Sequence, residues 1–149
     1  PVSRGLGDVY KRQQKPYLTE GTILENIAFS ENTKEFNFFR VKECAKKAKI
    51  YEFINSLPNK FKTKIGEMGS KLSGGQAQRI GLARALYSNK EIIIMDEVTS
   101  SLDEKTEREI IETINDFDPN MTLIIISHKK SFLEICNRII DLDTDYKLS

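Results

Sequence analysis

The pentapeptide Leu72-Ser73-Gly74-Gly75-Gln76 constrains this chain more than any other stretch, because it has the pattern of a helix start. Ser73 and Gln76 have the S-x-x-Q spacing of a capping box, and the two glycines let the backbone turn tightly into the helix. Such a start leaves backbone N–H groups without intrahelical partners, and these groups and the helix dipole attract anions. The pentapeptide therefore predicts either a helix cap alone or a cap that also holds a phosphate.

A short apolar run follows this helix and ends in two acids. Ile92 to Met95 is followed by Asp96 and Glu97, and a serine-containing turn, Ser100 to Asp103, leads to a second helix. This order of motifs resembles the nucleotide-binding domain of ATP-binding cassette (ABC) ATPases. The resemblance implies that the pentapeptide is the signature sequence, that the apolar run with Asp96 is the Walker B strand, that Glu97 is the catalytic carboxylate, and that the turn is the D-loop.

Length and composition fit one globular domain. The chain has 149 residues, of which 39% are hydrophobic and 30% charged, with a formal net charge of +1. This charge gives no sign of the positive field that nucleic-acid binding needs, so we expect no nucleic-acid partner. Cys44 and Cys136 have no partner at metal-ligand spacing, which favours a reduced, intracellular compartment. No stretch approaches the roughly 20 apolar residues of a membrane span, so any membrane connection must come from elsewhere.

The first 34 residues divide into two parts. Residues 1–13 are polar and glycine-containing, and we expect either a leader from cloning or library sequence, outside the family domain, or a mobile native terminus. Gln14, with Pro16 two residues later, resembles the Q-loop glutamine, and residues 14–34 resemble the Q-loop region of exporters. A glutamine amide there can ligate Mg²⁺ or the attacking water through its carbonyl oxygen.

Residues 35–90 are predicted to form a helical subdomain that ends in the signature helix. From Glu35 the apolar residues recur at three- and four-residue spacing, and Pro58 ends the pattern. The recurring positions are Val41, Cys44, Ala45, Ala48 and Tyr51. The signature helix is predicted from Gly75 to about Tyr87, with Asn89 as its stop.

Thr63 to Gly69 precede the signature and resemble the X-loop of exporters. In this interpretation Glu67 passes nucleotide-driven closure to a membrane domain. The alternative is an ordinary loop acid in solvent.

Residues 91–149 are predicted to form the sheet core. Ile92 to Met95 is apolar at every position, as in a parallel strand buried on both faces. Leu123 to Ile126 and Arg138 to Leu142 predict two more strands, and the helix after Asp103 has one apolar face, formed by Ile110, Ile111, Ile114 and Phe117. The fold class is therefore α/β, a P-loop NTPase-like, mostly parallel sheet core, present in part, with an inserted α-helical subdomain.

His128, the only histidine, stands just past a predicted strand. Acids and histidine thus emerge at the carboxyl ends of strands, where open α/β sheets bind ligands. The resemblance implies ATP and Mg²⁺ as cofactors, with Asp96 and Gln14 on the metal, Glu97 orienting or deprotonating water, and His128 contacting the γ-phosphate. It also implies that the pentapeptide and Asp103 close over a nucleotide held by an opposing subunit.

No G-x-x-x-x-G-K-[ST] motif occurs in the sequence, so we expect the later part of a cassette, inactive as an ATPase by itself. The leading hypothesis is the motor of an ABC exporter at the cytoplasmic face of the inner or plasma membrane. Its partners would be a second nucleotide-binding domain and a transmembrane permease domain. The alternatives are a non-transport ABC ATPase of DNA repair or ribosomes, and a non-catalytic partner half. Ala77 and Val98 depart from the exporter pattern, away from the chemistry.

Overall fold

Six helices and two strands make up the described chain, which comprises residues 16–29, 36–96 and 103–141 of the computed structural model. The helices are α1 (Ile23–Ile27), α2 (Phe38–Lys47), α3 (Tyr51–Ser56), α4 (Gly74–Ser88), α5 (Glu104–Asn115) and α6 (Lys130–Leu133). The strands are β1 (Ile92–Asp96) and β2 (Thr122–Ile126), and 3₁₀ turns lie at Lys60–Lys62 and Glu67–Gly69. The predicted leader, residues 1–13, lies outside the described residues.

The signature helix is α4, and it runs one residue beyond its predicted range at each end. Ser73 is its N-cap, and Asn89 follows its last turn in the left-handed conformation, with φ of 52°. Asparagine tolerates this conformation better than most residues, which explains why the helix stops there.

Two apolar cores form, one among the helices and one against the sheet. α1, α2 and α4 pack around fully buried residues that include Leu18, Ile23, Ile27, Val41, Ile54 and Ile80. The second core joins one face of the sheet to α5 and α6 through Ile93, Met95, Ile110, Ile114 and Phe132. Cys44 packs in the first core as predicted, and both cysteines are free thiols.

The helical pattern that Pro58 ends forms two helices, because the chain breaks at Lys49. Lys49 has a φ of 53°, the Ile50 amide donates to the Ala45 carbonyl at 3.0 Å, and the Lys49 amide donates to that of Lys46 at 2.9 Å. This Schellman-type ending separates α2 from α3. The apolar spacing fits one helix or two that face the same core, so the pattern by itself did not reveal the break. α3 does end before Pro58, as predicted.

The two strands pair in parallel, with Ile92 opposite Thr122 and Asp96 opposite Ile126. The predicted burial of β1 on both faces is wrong for the described chain. Ile92 and Ile94 remain 58% and 65% exposed, whereas Ile93 and Met95 are buried against α5. An all-apolar strand indicates that both faces can be covered, and the described residues cover one.

The strand predicted at Arg138 to Leu142 is also wrong over residues 138–141, which have no regular secondary structure. Ile139 and Ile140 are exposed. A β-strand needs a neighbouring strand to pair its backbone groups, and the sheet formed by the described residues consists of β1 and β2. Leu142 lies outside the described residues.

The segment before α1 pairs with the chain that leads into the signature. Thr22 and Lys64 form an antiparallel bridge, in which the Ile23 amide donates to the Thr63 carbonyl and the Ile65 amide to that of Gly21, each at 3.0 Å. The Q-loop region and the X-loop, both predicted from their resemblance to exporters, are therefore neighbours. No helix within the described ranges is long and apolar enough to cross a membrane.

Gly69 holds this second stretch against Leu18. Its φ is +71°, and an added Cβ would lie 2.9 Å from Leu18 Cδ1. We expect Gly69→Ala to lower the free energy of unfolding by about 1–3 kcal/mol, because the new side chain would strain the backbone and displace a buried leucine. Ser70→Ala, at an exposed right-handed position, should change it by less than about 0.5 kcal/mol. Urea denaturation measures both, and equal effects would contradict this explanation.

Candidate nucleotide site

The N-terminal end of α4 has the capping box that the sequence predicts. Ser73 Oγ accepts from the Gln76 amide at 3.2 Å, and Gln76 Oε1 accepts from the Ser73 amide at 2.9 Å. The amides of Gly74 and Gly75 lie in the first turn of α4, where no helical carbonyl is available to accept from them. No other acceptor in the described part of the chain bonds to them. Because the cap satisfies two donors and leaves two, it is compatible with an anion at the same end of the helix.

A cavity of about 370 Å³ opens at this helix end. It is lined by Ile50, Phe53, Ser73, Gly74, Gly75, Gln76, Arg79, Asp103 and Thr106. The structure thus brings the signature and the D-loop aspartate together, although they lie about thirty residues apart in sequence. Asp103 caps α5 by accepting from the Thr106 amide at 3.0 Å and from Thr106 Oγ1 at 2.7 Å. These hydrogen bonds lower the pKa of Asp103, so it remains a carboxylate beside the cavity.

Arg79 lines the same cavity, and the sequence analysis missed it. Its guanidinium donates to the Lys49 carbonyl at 2.9 Å and forms an ion pair with Glu109 of α5. The ion pair is half-buried, and it joins the start of α4 to α5. One signal was available, because Arg79 lies three residues after Gln76 and therefore on the same face of the helix.

The carboxyl ends of β1 and β2 form the second part of the site. Asp96 is the last residue of β1, and His128 lies two residues beyond the end of β2, so the parallel pairing brings both to one edge of the sheet. This is the arrangement that the sequence predicts. Gln14, the predicted ligand of the metal or water, and Glu97, the predicted catalytic carboxylate, lie outside the described residues. Ser100 to Leu102 of the D-loop do so too.

The chain after His128 is fixed to α5. Lys129 Nζ and Ser131 Oγ both donate to the carboxylate of Glu107. These bonds, with the charge of Lys129, lower the pKa of Glu107. Because Asp103 is the N-cap of α5, the D-loop aspartate and the loop of His128 are attached to the same helix.

The described residues offer Mg²⁺ only part of a site. Asp96 supplies the kind of hard oxygen ligand that Mg²⁺ prefers, at the sheet edge where the sequence predicts it. No group of three or more metal-ligating side chains occurs among the residues that the structure describes. The residues present fit a metal that is held by one carboxylate, water and phosphate oxygens.

The site combines a phosphate-type helix start with acids and a histidine at the edge of a parallel sheet, which is typical of a nucleotide-binding α/β domain. Residues 8–100 match the family model described as ABC transporter. The chain belongs to the ABC transporter family. This family is named for its ATP-binding cassette, so the chain is part of an ATP-binding domain. The predicted fold class is confirmed.

Individual relatives and a solved structure agree with this assignment. The chain is 42% identical over 131 residues to the ATP-dependent lipid A-core flippase of Saccharophagus degradans, a match that covers 87% of this chain and 22% of the flippase. It is 41% identical over 130 residues to the leptomycin B resistance protein pmd1 of Schizosaccharomyces pombe, covering 87% and 10%. A bacterial Atm1-family ABC exporter with ATP bound superposes with a TM-score of 0.71 at 38% identity, covering 80% of this chain and 21% of that chain.

The match thus spans about a fifth or less of each of these three proteins. They are named as a flippase, a resistance protein and an exporter. The comparisons therefore favour the exporter hypothesis over an ATPase of DNA repair or ribosomes.

The anchoring of α5 by Glu107 makes a stability prediction. Glu107→Gln should lower the free energy of unfolding by about 1–2 kcal/mol at neutral pH, because it removes the charge that Lys129 and Ser131 bind. The control Glu104→Gln, whose exposed partner Arg108 lies 3.4 Å away, should have almost no effect.

The pH dependence follows from the lowered pKa of Glu107. A carboxyl with a lowered folded pKa contributes stability above its unfolded pKa of about 4.3 and loses it as pH falls through the folded value. The difference between parent and Glu107→Gln should therefore shrink below about pH 4. Denaturation at several pH values measures it, and a difference that persists undiminished at low pH would contradict the ion pair.

Proposed function

We propose that this chain is part of the ATP-hydrolysing motor domain of an ABC exporter. The observation that carries the proposal is the N-terminal end of α4, where the amides of Gly74 and Gly75 open on a cavity shared with Asp103. Backbone amides at a helix start bind phosphate oxygens, and the family binds ATP. The ATP-bound exporter that superposes on this chain supports the same conclusion.

The pentapeptide end of α4 is proposed to contact the γ-phosphate of ATP held by an opposing nucleotide-binding domain. The Gly74 and Gly75 amides and the Ser73 hydroxyl hydrogen are donors that the capping box leaves available. Arg79 adds positive charge one helical turn further on, although Glu109 offsets part of it. Asp103 lines the D-loop side of the same cavity and is proposed to close over the opposing nucleotide together with the pentapeptide.

The proposed chemistry is the transfer of the γ-phosphoryl group to water. Asp96 and Gln14 would hold Mg²⁺, which neutralises negative charge on the phosphate oxygens when bound. Glu97 would orient the attacking water or accept its proton, and His128 would donate a hydrogen bond to the γ-phosphate. The adjacency of Asp96 and His128 at one sheet edge supports these roles.

The proposed partner on the membrane side is a permease domain, so the site of action is the cytoplasmic face of a membrane. Support comes from the pairing of Gly21–Ile23 with Thr63–Ile65, which brings both exporter-like stretches to one surface. Glu67 lies in the same stretch and is exposed, as a residue that receives a partner must be. A relative in Haemophilus influenzae, 37% identical over 136 residues that cover 89% of this chain and 25% of the relative, is named as a probable ABC transporter ATP-binding/permease protein.

The hydrolysis assignment is tested by Glu97→Gln in the complete protein that contains this chain. We expect turnover to fall on the order of 100-fold or more, with ATP binding retained, because glutamine cannot accept the proton of water. Glu91→Gln is the matched control, since Glu91 is an exposed acid just before the opposite end of β1. Phosphate release and nucleotide binding are measured on each variant. Turnover of Glu97→Gln near the parent rate would remove Glu97 from the mechanism.

A further inference from the structure

Arg84, in the second half of α4, makes a set of polar contacts outside the nucleotide site. Its guanidinium donates three hydrogen bonds to the segment Tyr17–Asn26: from Nε to the Asn26 carbonyl at 2.7 Å, from Nη1 to the Tyr17 carbonyl at 2.6 Å, and from Nη2 to Asn26 Oδ1 at 2.8 Å. The guanidinium also lies over the ring of Phe29, 5.1 Å from its centroid. Its rigid fork suits such a set of acceptors, and a lysine could not reproduce it.

Asn26 extends this contact into the segment. Its side chain is fully buried and uses both ends: Oδ1 also accepts from the Thr19 amide at 3.0 Å, and Nδ2 donates to the carbonyls of Thr19 at 3.1 Å and Thr22 at 3.0 Å. Thr22 in turn caps α1 through a capping box with Glu25. A buried polar network whose members are satisfied in this way is rigid, because breaking any bond leaves a desolvated group.

The same segment also reaches the start of α4. It pairs with Thr63–Ile65, and from there the Lys71 amide donates to the Ile65 carbonyl at 3.2 Å and the Leu72 amide to that of Gly69 at 2.9 Å. Ser73 follows directly. Arg84 is about 16 Å further along the helix axis, so the segment is tied to α4 at two well-separated places.

The segment follows closely on Gln14, the predicted Q-loop glutamine. Pro16 lies against α4 at Gly81, where an added Cβ would be 2.9 Å from the Cβ of Pro16. Among the described residues, contact with α4 is therefore made as early as Pro16, two positions after Gln14 in the sequence.

We propose that Arg84 is a positioning residue, which locks the Tyr17–Asn26 segment to the signature helix so that this segment and the Ser73 end of α4 move as one body. The proposal rests on the proposed ATPase function, because it assigns Gln14 to the metal or water of one nucleotide and Ser73 to the phosphate of another. When the Ser73 end of α4 moves toward one nucleotide, the Tyr17–Asn26 segment, which follows Gln14 in the sequence, then moves with it. Arg84 touches neither nucleotide and acts through the segment alone.

The test is Arg84→Lys in the complete protein, with Arg40→Lys as the matched control. Arg40 also packs its guanidinium on α4, 5.2 Å from the ring centroid of Tyr87, and none of its described hydrogen bonds or ring contacts reaches the Tyr17–Asn26 segment. For each variant, kcat and KM for ATP are normalised to the folded fraction. Amide hydrogen exchange is measured over residues 17–26 and 73–76.

We expect Arg84→Lys to lower kcat on the order of tenfold while KM for ATP stays within about twofold. Misplaced catalytic groups slow the reaction, whereas ATP is held mainly by groups that this substitution does not move. Exchange should become faster at residues 17–26, and Arg40→Lys should change neither quantity. An unchanged kcat in the folded fraction, or equal changes in kcat and KM, would overturn the positioning role.

The exchange measurement separates this proposal from the proposed function. Unchanged protection at residues 17–26 in Arg84→Lys would overturn the lock even if the protein hydrolyses ATP normally. If the parent shows no turnover that depends on Glu97, the ATPase assignment fails, and the positioning role fails with it. Faster exchange at residues 17–26 in Arg84→Lys would still show that Arg84 holds this segment rigid in the parent.

Discussion

The start of α4 determines what the rest of the molecule can do. In a helix that begins after Ser73, the first few backbone amides have no helical carbonyl one turn earlier to accept their hydrogen bonds. The reciprocal bonds between Ser73 and Gln76 satisfy two of them, and glycine at the next two positions keeps side chains away from the remaining pair. A helix dipole with two open amides attracts a phosphate oxygen, and a bulkier residue at Gly74 or Gly75 would crowd that approach.

The other elements hold this helix end in a fixed relation to the sheet and to the Q-loop region. Arg79 pairs with Glu109 on α5, and α5 in turn binds the chain after His128 through Glu107. Arg84 binds the Tyr17–Asn26 segment, which includes most of α1. α4 therefore makes polar contacts in two directions while its apolar face fills the helical core. The Arg79–Glu109 ion pair, the hydrogen bonds to Glu107 and those from Arg84 to Asn26 are half-buried, where an ion pair or hydrogen bond is worth more than at the open surface.

Sequence patterns predicted the parts of the fold that depend on local spacing. The capping box, the end of α4 at Asn89, both parallel strands and the position of His128 follow from short-range signals. Features that depend on the surroundings were missed. The one-sided burial of β1 depends on which elements cover the sheet, and the absence of a strand at residues 138–141 depends on a pairing partner. The bonds of Arg84 reach 58 and 67 residues along the chain, and no periodicity predicts them.

The claim that the α4 end binds phosphate across a dimer can be observed at the two glycine amides themselves. The measurement is the ¹⁵N and ¹H chemical shifts of Gly74 and Gly75 in the complete nucleotide-binding domain carrying Glu97→Gln, followed with ATP and Mg²⁺ as the domain concentration rises through dimerisation. We expect both amides to shift only as the dimer forms, because the phosphate they bind belongs to the opposing domain. Shifts at concentrations where the domain is monomeric, or unshifted amides in the dimer, would contradict the account.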